Sequence, residues 1–345
     1  YSELVGHFLG KFWLKYTSWI FIFYYVGCCI GYLIVINTFF KDVLGPTIAS
    51  WLNTDFNDSF KKELGFFLTL ALVGFLFLGT LMRRVGIIRY LGILVVIMVF
   101  YLTVVTVVQA KSYVDEVKPE YEALGTEKFF DYILNFGLFL FAFNALPAFH
   151  QVYVQVSMPT VRRIRKIGYR VSFLLLAFYS LFTIAAYISL GTLMQDKNFD
   201  IFPNKQPLST DPHDIYMKVL KCVFMVCLLS TYIVNSIPLK TQIMAETGIK
   251  DSTTTNIILA ASITIVTGFL SYIYPSITSW FGILGSVGAT SMIVVLPTLC
   301  YVKGFSGKPL YKTSVFLVKI WAVLTSTLSF GCLIATILDK IGRAH

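Results

Sequence analysis

The sequence predicts an all-α, polytopic membrane protein, and three observations predict it. Of the 345 residues, 57% are hydrophobic and only 13% charged, where a soluble domain carries about 25% charged residues. That is too little charge to cover a water-facing surface. The mean hydropathy is +0.74. The apolar residues also fall in long runs. A helix rising about 1.5 Å per residue needs about 20 residues to cross about 30 Å of hydrocarbon, and nine runs reach that length.

In order, the first run, 18–40, contains "GCCIG", Gly27 to Gly31, small residues that let helices approach closely. Runs 64–82 and 87–110 contain no acidic residue. The fourth, 134–155, contains "FAFNALPAFHQVY". Pro147 has no N–H to donate and clashes with the carbonyl four residues back. Asn144 adds an amide at mid-depth, costly in hydrocarbon without a partner. His150, Gln151 and Gln155 continue the polarity. A broken helix is predicted around 143–147, releasing N–H and C=O groups near the bilayer midplane, where such breaks survive only beside protein or a water-filled cavity. Those groups suit an amino-acid backbone, which needs donors for its carboxylate and acceptors for its ammonium.

The fifth run, 168–192, follows the basic cluster "RRIRK", Arg162 to Lys166. The sixth, 216–239, ends in "LLSTYIVNSIPLK", which gathers Ser230, Thr231, Asn235 and Ser236 within two turns. Oxygens at that spacing either coordinate a hard cation or bond neighbouring helices. The seventh run is 255–274. The eighth, 280–302, opens with Gly282, Gly285 and Gly288 at every third residue, a packing signature. The ninth, 315–338, ends a single transmembrane domain, 1–338. The tail, 339–345, contains Ile341–His345, which a common sequencing adapter can encode; the tail is expected to be artefactual and is kept apart from the fold.

Numbering the connections alternately puts 15 Lys and Arg against 3 acidic residues on the side that includes 1–17, 83–89, 156–170, 240–254 and 303–314. The other side carries 8 against 14. The positive-inside rule makes the first side cytoplasmic. The net charge of +10 thus reflects topology and not nucleic-acid binding. The sequon at Asn57 falls on the opposite side, where glycosylation is expected. All six Cys lie inside apolar runs, as small fillers. No nucleophile, base and orienting group share a motif, so no enzyme is expected. A membrane-embedded acyltransferase would need paired His and acidic residues, and only His213 with Asp211 and Asp214 comes near, in a stretch ("STDPHD") that reads as a helix start.

The motif "FAFNALPAFHQVY" resembles the sixth helix of the amino acid/auxin permease family. "FGILGSVGATSMIVVLPTLCYV" is similar to its tenth helix, and "YIVNSIPLK" looks like the end of its eighth. The resemblance covers residues 1–338. It implies the leucine-transporter-like inverted-repeat fold of five helices, five inverted and one more. Nine spans with the break in the fourth fit helices three to eleven, so helices one and two, including a Gly-rich broken first helix, are expected to be missing. The resemblance implies secondary active transport of amino acids, coupled to Na⁺ or H⁺, with no cofactor beyond that ion. Phe143, Asn144, Ala145 and Leu146 would sit at the unwound substrate site, with Tyr32 facing it. Thr231, with Ser230 and Asn235, would match the ion site of sodium-coupled neutral amino acid transporters. That branch carries His-Pro-Glu at the break, where this chain has Leu146, Pro147 and Ala148. Plasma membrane and vacuolar or lysosomal membranes both fit. A nutrient receptor or structural subunit on the same fold is the alternative.

Overall fold

The computed structural model describes residues 1–51, 58–82, 88–117, 129–144, 146, 153, 156, 160–191, 215–308 and 311–344. Among them there is no strand. The helices are α1 (Ser2–Leu9), α2 (Lys11–Trp51), α3 (Asp58–Thr80), α4 (Ile88–Val117), α5 (Phe129–Ala142), α6 (Val161–Leu190), α7 (Ile215–Thr247), α8 (Thr253–Ile273), α9 (Ile277–Phe305) and α10 (Lys312–Ala344).

Seven of these are long and apolar enough to cross a membrane: α2, α3, α6, α7, α8, α9 and α10. Nine runs were expected. The third coincides with α4, whose apolar described stretch is the shorter Ile93–Val108. The fourth is represented by α5, which stops at Ala142. Two connections also differ from expectation. The predicted loop 41–63 is largely helical, because α2 continues to Trp51 and α3 starts at Asp58. "RRIRK" forms the first turns of α6, where the Thr160 hydroxyl caps Arg163 N–H at 3.3 Å. Cations at a helix N-terminus oppose the macrodipole, so helix stability does not account for their place. Asn57 and His213 lie outside the described residues.

Helix α2 is the hub. Of its apolar window 72% is buried, against 61% for α9 and 11% for α6. All three hydrophobic clusters are built on it: Tyr24, Tyr25 and Cys28 against Leu239, Ile263 and Met292; Cys29, Leu33 and Ile36 against Leu72, Leu76 and Tyr232; Ile30 and Ile34 against Ile277. Glycines let neighbours in. A Cβ on Gly27 would meet Leu284 at 2.3 Å, and one on Gly31 would meet Phe281 at 2.2 Å. "GCCIG" is thus a pair of holes that receive two α9 side chains.

The central part of α9, Leu284–Val295, is wound as a π-helix. Its wider turn shows in Thr290, whose hydroxyl reaches the carbonyl of Gly285, five residues back, at 3.1 Å. The same hydroxyl oxygen lies 2.8 Å from Ser329 Oγ of α10, within hydrogen-bonding distance. At this level α5 lies backbone to backbone on α9: a Cβ on Gly285 would stand 1.7 Å from the Gly137 carbonyl oxygen. The Gly137 N–H also donates to Cys332 Sγ at 3.2 Å. All six cysteines are free thiols.

A buried cation ties the far end of α3. Lys240, 3% exposed, donates from Nζ to the carbonyls of Thr80 and Met82 (3.3 Å for Met82) and to Asn256 Oδ1 at 2.8 Å. Asn256 donates in turn to the Leu81 carbonyl at 3.0 Å. These are carbonyls that a helix C-terminus leaves unpaired, at the negative end of its dipole. One lysine of α7 and one asparagine of α8 therefore cap α3.

Two expectations follow. Gly285→Ala should lower the thermal midpoint sharply, because backbone cannot yield as a side chain does; overpacking costs about 1–3 kcal/mol. Gly74→Ala, with nothing within 4 Å of its Cβ, should not lower the midpoint. Lys240→Met should cost about 1–3 kcal/mol by orphaning buried carbonyls, read as a lower midpoint in detergent; a midpoint equal to wild type would show the cap to be dispensable.

Candidate functional site

Helix α5 ends in a tightened turn. Phe143 N–H bonds the Phe139 carbonyl at 3.2 Å, four residues back, and Asn144 N–H bonds Phe141, three back, at 3.1 Å. Asn144 itself is not helical. Asn144 Oδ1 accepts the N–H of Leu146 at 3.3 Å, the Asx-type turn by which asparagine replaces a backbone partner. The other end of the amide, Nδ2, donates to Met292 Sδ in the π-wound part of α9 at 3.7 Å. The Asn144 side chain also lies within reach of the Tyr24 hydroxyl on α2. One amide thus bridges the end of α5, α2 and α9. Ala145 and Pro147 lie outside the described residues.

The apolar frame around the break is aromatic. Phe141 stacks on Phe281 with ring centroids 4.2 Å apart and meets Tyr24 at 5.7 Å. Phe143 turns the other way, against Phe139 at 4.8 Å and Tyr179 of α6 at 5.3 Å. The Tyr179 hydroxyl donates to the Ala142 carbonyl at 3.5 Å, taking up one acceptor at the helix end. Leu146 packs on the cluster that holds Tyr24 and Met292. Asn144 and Leu146 therefore face the α2–α9 core, while Phe143 faces α6.

Tyr32 stands between two regions. It packs against both the cluster of the break and the cluster around Leu33 and Tyr232, and its hydroxyl lies within reach of the Asn235 side chain. The predicted ion residues sit on α7. Ser230 and Thr231 donate to the carbonyls of Val226 and Cys227, at 2.8 and 2.7 Å. With their protons so engaged, both oxygens present lone pairs outward, the polarity a cation needs. Asn235 Nδ2 donates to the Thr231 carbonyl at 3.0 Å. Asn235 and Thr231 are thus linked, while Ser230 stays on its own turn. Ser236 donates to Ile233 at 2.7 Å. Pro238, inside α7, follows this group.

Three contributors were not anticipated from sequence: Met292, Tyr24 and Tyr179. Met292 belongs to a run that read as glycine-driven packing. Tyr24 and Tyr179 carry no local pattern that separates them from the chain's other tyrosines.

Compared with known proteins, residues 1–341 match the family model described as "Transmembrane amino acid transporter protein". Neither the curated proteins nor the solved structures compared with this chain gave a match.

Proposed function

We propose that this chain, which belongs to the transmembrane amino acid transporter family, is a secondary active transporter that binds an amino-acid zwitterion beside the end of α5. Membership makes it an integral, multi-pass membrane protein of a transporter family and not of an enzyme family. The finer reading rests on one observation. Helix α5 stops at Ala142, and Asn144 bonds across to Met292 of α9 and to the Leu146 N–H.

The chemistry of that bridge supports a replaceable contact. Thioether sulfur is a weak acceptor, so the 3.7 Å bond from Asn144 to Met292 is easily given up. A carboxylate oxygen is a far better acceptor for the same N–H. Asn144, Ala145 and Leu146 would form one wall for the substrate. Phe143 would hold the end of α5 against α6, and Tyr32 would join this wall to α7. Thr231, with Ser230 and Asn235, would bind the coupling ion. No acidic side chain lies in 143–147, which favours Na⁺ over H⁺. The ion would act by binding one conformation more tightly than the other. Rocking of α5 with its partners against the remaining helices would then alternate access in the leucine-transporter-like manner, with α2 as its third helix. Plasma, vacuolar and lysosomal membranes all suit such a carrier.

The alternative, a receptor or structural subunit on the same fold, predicts binding without accumulation. Proteoliposomes holding the purified protein should concentrate labelled amino acid under an imposed ion gradient. Accumulation should fall at least tenfold when choline replaces Na⁺; uptake indifferent to choline but abolished by collapsing the pH gradient would assign the coupling to H⁺. Asn144→Leu should reduce uptake at least tenfold while membrane insertion and the thermal midpoint stay near wild type. Full uptake in that variant would place Asn144 in packing alone.

A further inference from the structure

We infer that the connection between α9 and α10 forms a binding site for the phosphate headgroup of an anionic phospholipid of the cytoplasmic leaflet. A cavity of about 610 Å³ opens where α9 ends and α10 begins. Lys308, Lys312 and Lys319 line it, together with Phe305, Phe316 and the Thr313 hydroxyl. Among the described residues no carboxylate lines it. Three cations and the hydroxyls of Ser306 and Thr313, with no anion among the described lining residues, make the cavity complementary to a phosphate.

The local fold explains how the lysines converge. Gly307, at φ 89, lets the chain reverse after α9. The turn closes through Lys308 N–H to the Phe305 carbonyl at 3.2 Å and Tyr311 N–H to the Lys308 carbonyl at 3.0 Å. Lys308 Nζ is held 5.4 Å above the centre of the Phe305 ring, a cation–π contact. On α10, Lys312, Phe316 and Lys319 are spaced four and three residues apart, which places them on one helix face.

Depth selects a lipid over a soluble ion. Lys319 lies seven residues into the apolar span Lys312–Leu338, about 10 Å along the axis from Lys312. An ammonium at that depth is costly in hydrocarbon and snorkels toward the headgroup layer. The adjoining surface of α10 is apolar and open: Phe316, Leu317, Ile320 and Trp321 are all exposed. An acyl chain can lie along these residues while its phosphate reaches the lysines. The 303–314 connection is on the side that the charge count assigns to the cytoplasm, where anionic lipids concentrate.

The test is lipid binding by the purified protein in neutral detergent, followed by native mass spectrometry with phosphatidylserine and phosphatidylcholine. Wild type should retain phosphatidylserine in preference to phosphatidylcholine. Each single Lys→Gln change should weaken phosphatidylserine binding roughly fivefold, and the triple change at 308, 312 and 319 on the order of a hundredfold, with phosphatidylcholine unaffected. Lys308→Gln, outside both helices, keeps the test decisive if the triple variant does not fold. Wild-type phosphatidylserine binding in Lys308→Gln, or in a folded triple variant, overturns the proposal. Complete displacement of the lipid by millimolar inorganic phosphate overturns it too, by making the occupant a soluble ion.

Discussion

The rest of the site depends on one close approach, that of the Gly137 and Gly285 backbones. In lipid no hydrophobic driving force brings helices together, since acyl chains are as apolar as leucine; contact depends on fit. Here the fit is complete enough that no β-carbon can stand on Gly285. That contact fixes the height of α5 against α9. The stacked pair Phe141–Phe281 lies one turn from Gly137, and Asn144 two turns, where Met292 meets it. Helix α10 secures the same level from behind, through Cys332 to the Gly137 N–H and Ser329 to Thr290. Were α5 to slide by a turn, Asn144 would lose both neighbours at once.

A second tie works at the opposite side of the hub. Lys240 and Asn256 close the C-terminus of α3 with two side chains from two other helices. A charged group is buried there, but its partners are carbonyls at the negative pole of a helix, so the cation and the helix end satisfy each other. With α3, α7 and α8 joined at that end, and Tyr232 bonded to Thr267 at 2.8 Å between α7 and α8, these three helices form a stiff group around α2. The α5–α9–α10 group is joined mainly by glycine contacts and neutral hydrogen bonds. The two groups differ in kind of cohesion.

Much of this is legible in the residues. Run length and hydropathy mark the spans, because the bilayer dictates both. The end of α5 at Ala142, just before Asn144, is legible because a mid-depth amide is costly inside an apolar helix. Other features resist a linear reading. The π-winding of Leu284–Val295 leaves no mark beyond glycines that packing already explains. The cap by Lys240 looks, in sequence, like the ordinary basic end of a span; its partners are 16 and about 160 residues away. Helix α2 runs on to Trp51 through residues that read as a loop, since only part of a 41-residue helix has to be apolar. Tyr179 finds its role only because α6 passes the end of α5. These are tertiary facts, and composition along the chain does not encode them.

The neutrality of the break has a consequence for how a carrier there would work. A fixed charge in low dielectric binds an opposite charge too strongly to release it, and in its absence recruits a counter-ion. The groups around Asn144 are an amide, a phenol, a thioether and aromatic rings. Among the described residues they offer dipoles and no net charge. A zwitterion brings equal and opposite charges of its own, so such a site can meet both ends without retaining either. The charge that drives net movement would then belong to the co-transported ion, bound at hydroxyl oxygens on α7, one helix away. In the proposed carrier Tyr32, which packs at both clusters, is the side chain through which one site would be felt at the other.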